Sequence, residues 1–330
     1  MKFAGQEFEW PIGGMCEIRR TPDQWLLFRS EAQTEPARPL VKDPAIFRNF
    51  ADLKAAPLPL LAFATDYGFL DSAPPGKSRP ERSESIADWL EEIWQVREAV
   101  VLWDLLKQGK PEEILGCIAR KLTRAGLEVR FDRSTGKDQA ATDFPGIQLC
   151  PAGKPLILKD AHLSKLHQKQ PSAVARPLAT CLLEHSFKVH LAGSLEFRVT
   201  EDNALAWSLD QANLKTAIWA QMADAFGRQA DFRSCEVCRR WFELAPEIAR
   251  SDRLFCSNAC RTKSYRDRQA EAIKLHQKGH SVATIAEEVG STVEIVDRWI
   301  KGTSGAGVQQ SGDAAAIPIR LPGHRRLRFR

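Results

Sequence analysis

The chain has 330 residues, of which 43% are hydrophobic, and a formal net charge of +5 at neutral pH. This length is enough for two or three domains, and the hydrophobic content argues against wholesale disorder. The first ten residues contain no apolar run fit for a signal peptide, and the most apolar stretch, Ala55–Ala64, is too short to span a bilayer. We therefore expect a cytoplasmic protein without a membrane partner.

The positive charge is concentrated in the last third of the chain. From Arg233 to the end there are 18 lysines and arginines against 11 acidic residues, whereas the first 232 residues carry a net charge of −2. A basic segment favours a polyanionic partner such as double-stranded DNA. A solvated surface followed by a basic tail would give the same charge.

Helical patterns come first along the chain. The apolar pieces of Phe47–Leu70 indicate a short helix that ends near Tyr67. Ser85 is typical of an N-cap for a long helix, whose apolar residues recur at helical spacing until Gly109 stops it. A second helix follows and is expected to run to about Ala125.

Strand-like alternation begins after the second helix. Short strands are predicted at Leu127–Phe131, Phe187–Leu191, Leu195–Val199 and Ala204–Trp207. Asp210 is a candidate cap for a helix that ends at Gly227. Residues 1–230 are therefore predicted to form one mixed α+β domain, which we interpret as a sensor of a small molecule or a protein partner.

The sequence carries no recognisable catalytic motif. It contains neither a phosphate-binding loop nor a dinucleotide fingerprint nor a nucleophile elbow. Four histidines fall in one region, but their spacing matches no familiar metal set, and we interpret them as surface or core residues: His162, His167, His185 and His190. We expect no enzymatic activity.

Four cysteines form the most informative pattern in the chain. Cys235 and Cys238 are followed, after seventeen residues, by Cys256 and Cys260. Two close pairs at this separation predict one structural zinc ion held by four thiolates. Disulfides and a redox site are the alternatives, and neither a secretory signal nor a thioredoxin-like context favours them.

Residues 231–270 are predicted to be a treble-clef zinc finger. Cys235–Cys238 would form a tight knuckle, Arg239–Phe242 a strand and Arg253–Phe255 the returning strand. Ser257 is expected to cap a helix in which Cys260 faces the metal.

A run of basic residues follows the last cysteine. On a helix it would present a cationic surface that contacts phosphates through Arg261, Lys263, Arg266 and Arg268. The alternative is a solvated helix that links two domains.

The finger segment resembles a known group of proteins. Bacterial treble-clef proteins carry a Phe-Cys-Ser-x-x-Cys-Arg stretch followed by Tyr-Arg-x-Arg, as residues 255–261 and 265–268 do here. Residues 233–268 are more distantly similar to the CGNR zinc-finger regulators, which place a four-cysteine finger behind an ABATE domain. Cys260 is followed by Arg-Thr-Lys, where that family has Gly-Asn-Arg. The resemblance implies four metal ligands and a transcriptional regulator.

Residues 271–302 are predicted to be a three-helix helix-turn-helix. Ser281 caps the second helix, Gly290 makes the turn, and Thr292–Ile300 forms the third. This stretch resembles the helix-turn-helix of resolvase-like and sigma-factor-like proteins, which implies base contacts from the third helix. The candidates for those contacts are Ser291, Thr292, Arg298 and Lys301. A small bundle for protein contact is the alternative.

Residues 303–330 are predicted to be a flexible basic tail, with Arg325 and Arg326 as further phosphate contacts. The sequence as a whole predicts an α+β, multidomain, zinc-containing DNA-binding regulator that forms homodimers on paired sites. The alternative is a zinc-stabilised interaction module, such as an antitoxin-like or scaffold subunit.

Overall fold

The computed structural model describes residues 10–30, 34–37, 43–71, 81–133, 142–147, 153–159, 171–192, 195–199, 205–209, 213–244 and 252–304. Across these ranges the chain is mixed helix and strand, which confirms the α+β class. The chain divides into two compact units between Cys256 and Ser257. We call residues 1–256 the first unit and residues 257–330 the second unit.

The described part of the first unit contains six helices. They are α1 (Ile46–Ala51), α2 (Pro57–Tyr67), α3 (Ile86–Gln108), α4 (Pro111–Gly116), α5 (Pro171–Leu191) and α6 (Leu214–Gly227). The longest, α3, starts directly after Ser85 and ends at Gly109, which has a φ of +65°, as the sequence predicts. Glycine adopts this left-handed conformation without a steric penalty, so it is a natural helix terminator.

The strands of the first unit form small antiparallel sheets. They are β1 (Trp10–Gly13), β2 (Cys16–Arg20), β3 (Trp25–Ser30), β4 (Thr34–Ala37), β5 (Glu81–Ser85), β6 (Ile118–Thr123), β7 (Gly126–Phe131), β8 (Leu156–Leu158), β9 (Leu195–Val199), β10 (Leu205–Leu209), β11 (Asp231–Ser234) and β12 (Trp241–Leu244). Two sheets have three strands, in the orders β2-β3-β5 and β6-β7-β8. The remaining strands pair as β1-β4, β9-β10 and β11-β12.

Aromatic side chains fill the core between the helices. Trp89 of α3 and Trp219 of α6 are both fully buried. Phe47 of α1 meets the rings of Phe226 and Phe232 edge-on, at centroid distances of 6.3 and 5.2 Å. Such contacts add roughly 0.5–1.5 kcal/mol each to the free energy gained from burial alone. The core therefore ties β11, through Phe232, to the first helix of the unit.

The second unit consists of three helices in its described part. They are α7 (Asn258–Gln277), α8 (Val282–Glu288) and α9 (Val293–Ser304). Ser257 and Ser281 accept hydrogen bonds from the backbone N–H of Cys260 and Thr284, so both predicted N-caps are confirmed. The helices close around one apolar cluster, whose buried members are Ala272, Leu275, Ile285, Ala286, Val296, Trp299 and Ile300.

Four sequence predictions are wrong. The cap of α6 is Asn213, which accepts a hydrogen bond from the Thr216 N–H, and not Asp210. The strand expected at Phe187–Leu191 is the last part of α5, because a five-residue alternation cannot outweigh the packing of a 21-residue helix. The helix expected to reach Ala125 ends at Gly116, and β6 begins at Ile118. The returning strand at Arg253–Phe255 is irregular backbone.

The predicted boundary between residues 230 and 231 lies directly before β11, and the one between residues 270 and 271 falls inside α7. The division into four domains stays a prediction. Among the described residues, no helix combines the length and the apolar character needed to cross a bilayer.

Candidate metal centre

The β11–β12 hairpin presents the first pair of cysteines. Its strands are antiparallel with Ser234 opposite Trp241, and the turn between them is Cys235–Arg240, which we call the knuckle. Within the knuckle the Cys235 N–H donates to Arg240 O and the Arg239 N–H donates to Cys235 O, both at 2.9 Å. These two hydrogen bonds close the loop so that both sulphurs point to one place.

Arg239 has an unusual backbone conformation. Its φ is +61°, in the left-handed region that favours glycine. A side chain there costs about 1–2 kcal/mol relative to glycine. The Ser234 hydroxyl donates to Arg239 O at 3.0 Å and helps to hold the conformation.

The loop before the second pair is fastened to the hairpin by arginines. Arg233 of β11 donates to Arg253 O at 2.9 Å, and Arg253 in turn donates to Phe255 O at 2.8 Å and to Cys256 O. The Arg253 guanidinium also lies over the Phe242 ring, 4.9 Å from its centroid. The position of Cys256 is thus set by side chains of the hairpin itself.

The fourth cysteine lies in the first turn of α7. The Ser257 hydroxyl accepts a hydrogen bond from the Cys260 N–H at 3.3 Å, which fixes the start of the helix three residues before the sulphur. Capping by serine stabilises a helix start by about 1 kcal/mol. The sequence predicts this placement, because Ser257 stands where a cap is needed.

The structure brings the four sulphurs together. Their Sγ atoms all lie within 4.8 Å of one another, and those of Cys238 and Cys256 are 3.5 Å apart. A tetrahedral zinc ion with bonds of about 2.3 Å would place its sulphurs about 3.8 Å apart. The spacing of Cys238 and Cys256 is well beyond the roughly 2.05 Å of a disulfide bond. The four residues therefore fit a metal ion.

Backbone amides favour the thiolate at the most buried of the four sulphurs. Burial alone would disfavour the charged form of Cys235, but hydrogen bonds from the backbone of Cys238, Cys256 and Val237 lower its pKa to about 6. A metal ligand must be deprotonated, so this environment prepares Cys235 for binding near neutral pH.

The hairpin is anchored to the helices of the first unit, which sequence reasoning missed. Trp241 donates its backbone N–H to Asn49 Oδ1 at 2.7 Å and its indole N–H to Asp52 Oδ2 at 2.5 Å. The buried Arg48 guanidinium lies over the rings of Phe232 and Trp241, at 4.8 and 4.9 Å. The only hint in the sequence is the aromatic content of the two strands.

Arg48 is itself held in place by an ion pair. It forms two hydrogen bonds with Asp104 of α3, at 2.9 and 2.6 Å. A planar guanidinium that binds a carboxylate and stacks on aromatic rings is the geometry for which arginine is suited. This residue connects α1, α3 and the hairpin.

Three of the residues predicted to contact phosphate are exposed on α7: Arg261, Lys263 and Arg266. The fourth, Arg268, is half-buried, and its guanidinium donates to Gly290 O at 3.3 Å. At about 100° per residue, Arg261 and Arg268 share one side of α7, while Lys263 and Arg266 lie on the other. The predicted cationic surface is thus divided between two faces.

The candidates for base contact surround the start and the outer face of α9. Thr292, Arg298 and Lys301 are exposed, and Ser291 is half-buried. Lys301 forms an ion pair with Asp297 at 2.6 Å. Arg325 and Arg326, together with residues 305–330 of the predicted tail, lie outside the described residues. Every predicted nucleic-acid contact stays a prediction.

Two of the clustered histidines, His162 and His167, also lie outside the described residues. His185 and His190 are on α5. The His190 ring stacks on Trp219 at 4.1 Å and lies 3.4 Å from Glu92, a buried carboxylate. His190 is thus a core residue, as the sequence interpretation has it.

Comparisons with known proteins return no match: no family model, no curated protein and no solved structure is similar to this chain.

Proposed function

We propose that this chain is a zinc-containing DNA-binding protein that regulates transcription, with a first unit that senses a ligand or a protein partner. The observation that carries the proposal is a four-cysteine cluster whose last member begins a three-helix unit, in which the third helix has an exposed polar face. We propose one structural zinc ion per chain, held by Cys235, Cys238, Cys256 and Cys260.

Zinc is the metal that suits this ligand set. Four thiolates at tetrahedral spacing match structural zinc sites, and iron is the main competitor for such a set. Four protein ligands leave no open position for substrate or water, which is a further reason to propose a role without catalysis. When bound, zinc would cross-link the knuckle to the loop and to the start of α7.

DNA binding is proposed from the geometry of the second unit. Ser281 starts α8, and Gly290 turns the chain towards α9 with a φ of +60°. The apolar side of α9, with Val296 and Trp299, faces the core, so its opposite side carries Glu294, Arg298 and Lys301 in one row. Two consecutive helices with a polar outer row suit insertion into a major groove.

The charge on α9 supports the second candidate function, a protein-interaction module. Glu294 and Asp297 balance Arg298 and Lys301, so α9 as a whole has no net charge. A hydrogen bond from its own backbone N–H and, to a smaller extent, one from the Thr292 hydroxyl lower the pKa of the Glu294 carboxyl, which keeps its negative charge. For DNA binding, phosphate attraction must therefore come from α7 and from the basic tail.

Fluorescence anisotropy of full-length protein with random duplex DNA over a salt series tests the proposal. We expect binding that weakens with salt, and Arg266→Gln should reduce the slope of log affinity against log salt by about 0.9 if it contacts one phosphate. Lys278→Gln, at the exposed residue that follows the C-terminal end of α7, is the matched control and should leave the slope unchanged. Selected DNA sites should form inverted pairs if the protein binds as the homodimer we propose.

Salt-insensitive binding, or no binding at micromolar protein in low salt, would reject the DNA proposal and favour the protein-interaction candidate. Arg298→Ala gives a second readout, because a side chain that reads a base should cost about 1–3 kcal/mol at its own site only. If Arg298→Ala weakened binding equally on all DNA sequences, Arg298 would contact the phosphate backbone of the DNA and not a base.

A further inference from the structure

A large cleft opens beside the knuckle within the first unit. It has a volume of about 1170 Å³ and lies between α2, α3, the segment that joins α1 to α2, and residues 238–240. Ligand pockets commonly enclose about 300–1,000 Å³, so the cleft is large enough for a small organic molecule.

One wall of the cleft is apolar and aromatic. It includes Phe63 of α2 and Ile93 and Trp94 of α3. Two guanidinium groups lie against Trp94, since those of Arg97 and Arg133 are 4.6 and 5.6 Å from its ring centroid. A rigid aromatic wall of this kind favours a flat or branched apolar body.

The charges of the cleft are mostly committed to partners within the protein. Arg97 donates to Ala51 O at 2.7 Å and to Leu53 O at 3.1 Å. Arg240 pairs with Asp66 at 3.5 Å. Asp52 accepts the indole N–H of Trp241. Lys54 and Asp143 also line the cleft and carry opposite charges.

Two exposed cations that line the cleft, Arg239 and Lys54, are exceptions, and of these two Arg239 has the unusual backbone. It is exposed, it lines the cleft, and its guanidinium has no ion pair or hydrogen bond with any residue in the described part of the chain. Its φ of +61° favours glycine, so the fold alone gives no reason for a long cationic side chain at this position. A cation in a conformation that costs backbone free energy, at the edge of an apolar cleft, suits a ligand with an anionic group.

We propose that the cleft binds a small organic anion, with its apolar body against the Phe63–Trp94 wall and its anionic group on Arg239. The proposal rests on the proposed function, because this anion would be the effector that the first unit senses. Because Arg239 directly follows Cys238, bound anion would contact the same loop that holds two of the metal ligands.

Two fluorescent probes with the same aromatic body test the proposal on full-length, zinc-loaded protein. Anilinonaphthalene sulfonate carries an anionic group, and phenylnaphthylamine does not. We expect saturable binding of the sulfonate at one site. Arg239→Gly should weaken it about tenfold or more, because a hydrogen bond to a charged group is lost. The same variant should leave phenylnaphthylamine affinity within about twofold.

Further variants distinguish binding in the cleft from attraction of the probe to the charged surface as a whole. Ala62→Trp, at an exposed position of α2 that lines the cleft, should weaken both probes by filling the space. Arg124→Gln, an exposed arginine in the β6–β7 turn, is the matched charge control and should change neither affinity. Arg239→Gly should keep its zinc and unfold at the same or a higher temperature, since glycine relieves the backbone.

Three results of the probe measurements would overturn the proposal. The first is that the unmodified protein shows no saturable binding of the sulfonate. The second is that Arg239→Gly binds the sulfonate with unchanged affinity, and the third is that this variant loses affinity for both probes equally. Loss of zinc from Arg239→Gly would instead assign the arginine to the charge balance of the metal centre, and would also overturn it. No DNA is present in these measurements, so failure here is distinct from failure of the DNA-binding proposal.

Discussion

The first unit buries a continuous aromatic core that involves α1, α3, α5 and α6, whereas the second unit closes three helices around seven buried side chains within residues 257–304. The thick core of the first unit also holds buried charges, such as Glu92 and Arg133, because each has partners on neighbouring elements. The polar contact at the core of the second unit is simpler: the Trp299 indole donates to the Tyr265 hydroxyl at 2.6 Å. A small core leaves each of its residues a larger share of the stability.

Among these predictions, removal of the metal should have the largest effect on stability. It should also show whether the β11–β12 hairpin depends on the metal or on the helices of the first unit. Structural zinc contributes roughly 10–16 kcal/mol in small peptide systems. We expect Cys256→Ser to lose its zinc and to lose amide protection at residues 252–260. The β11–β12 hairpin should keep part of its protection, because Trp241 is anchored to Asn49 and Asp52.

Hydrogen exchange with mass spectrometry, together with metal analysis, measures both effects. Cys117→Ser, at a cysteine far from the cluster in sequence, is the control and should keep one zinc. Loss of protection throughout residues 43–133 would contradict the prediction and would make the metal a determinant of the whole first unit.

Trp299→Ala should have the second-largest effect on stability and should unfold the second unit alone. Truncation of a buried tryptophan costs about 3–5 kcal/mol, and a three-helix core has little stability in reserve. We expect the full-length variant to lose helical signal and to become sensitive to proteases within residues 258–304. If the first unit lost cooperativity as well, the contrast between the two units would be wrong.

Acid should destabilise the first unit through His190. Burial lowers the pKa of His190 to about 3, and the Lys215 and Lys154 ammonium groups and the His185 ring are smaller causes. The Glu92 carboxylate lies 3.4 Å from His190, accepts a hydrogen bond from the Trp219 indole and forms an ion pair with Lys215. The unfolded chain therefore binds a proton near pH 6.5 that the folded chain takes up only near pH 3. The first unit therefore has its full stability above about pH 6.5, and its free energy of unfolding decreases as the pH falls from about 6.5 towards 3.

His190→Phe should retain the stack on Trp219 and remove this dependence. The slope of unfolding free energy against pH, from urea titrations between pH 4 and 6, should decrease by up to about 1.4 kcal/mol per pH unit. His276→Phe, on the exposed side of α7, is the control. An unchanged slope in His190→Phe would place the acid sensitivity elsewhere.

Tyr265→Phe should have the smallest effect. It removes one hydroxyl that accepts from Trp299 but keeps the ring, which packs edge-on at 5.2 Å. We expect a loss of about 1 kcal/mol, measured as a shift in the urea midpoint of the second unit. A loss close to that of Trp299→Ala would mean that the hydrogen bond, and not the apolar contact, holds the unit together.

Local signals in the sequence were sufficient where a single side chain decides the structure. Ser257 and Ser281 mark helix starts because each hydroxyl satisfies a free backbone N–H, and Gly109 marks a helix end because it tolerates a positive φ. The four cysteines could be grouped from spacing alone, since two close pairs can converge on one point.

Contacts between distant segments were beyond the reach of the sequence. The alternation in Phe187–Leu191 fits a strand as well as a helix, and only packing of α5 against α3 and α6 decides between them. The anchoring of Trp241 depends on residues about 190 positions earlier. One signal lies within the knuckle itself, where Arg239 occupies a position at which glycine would be the expected residue.

The unbroken course of α7 restricts how the chain length can vary between the fourth cysteine and the core of the second unit. Cys260 lies in the first turn and Leu275 in the last, separated by about 22 Å of helix. Insertion of one residue between them would turn Leu275 by about 100° out of the apolar cluster, whereas seven residues would restore its phase to within about 20°. Insertions and deletions in this helix should therefore be tolerated only in steps that preserve its rotation.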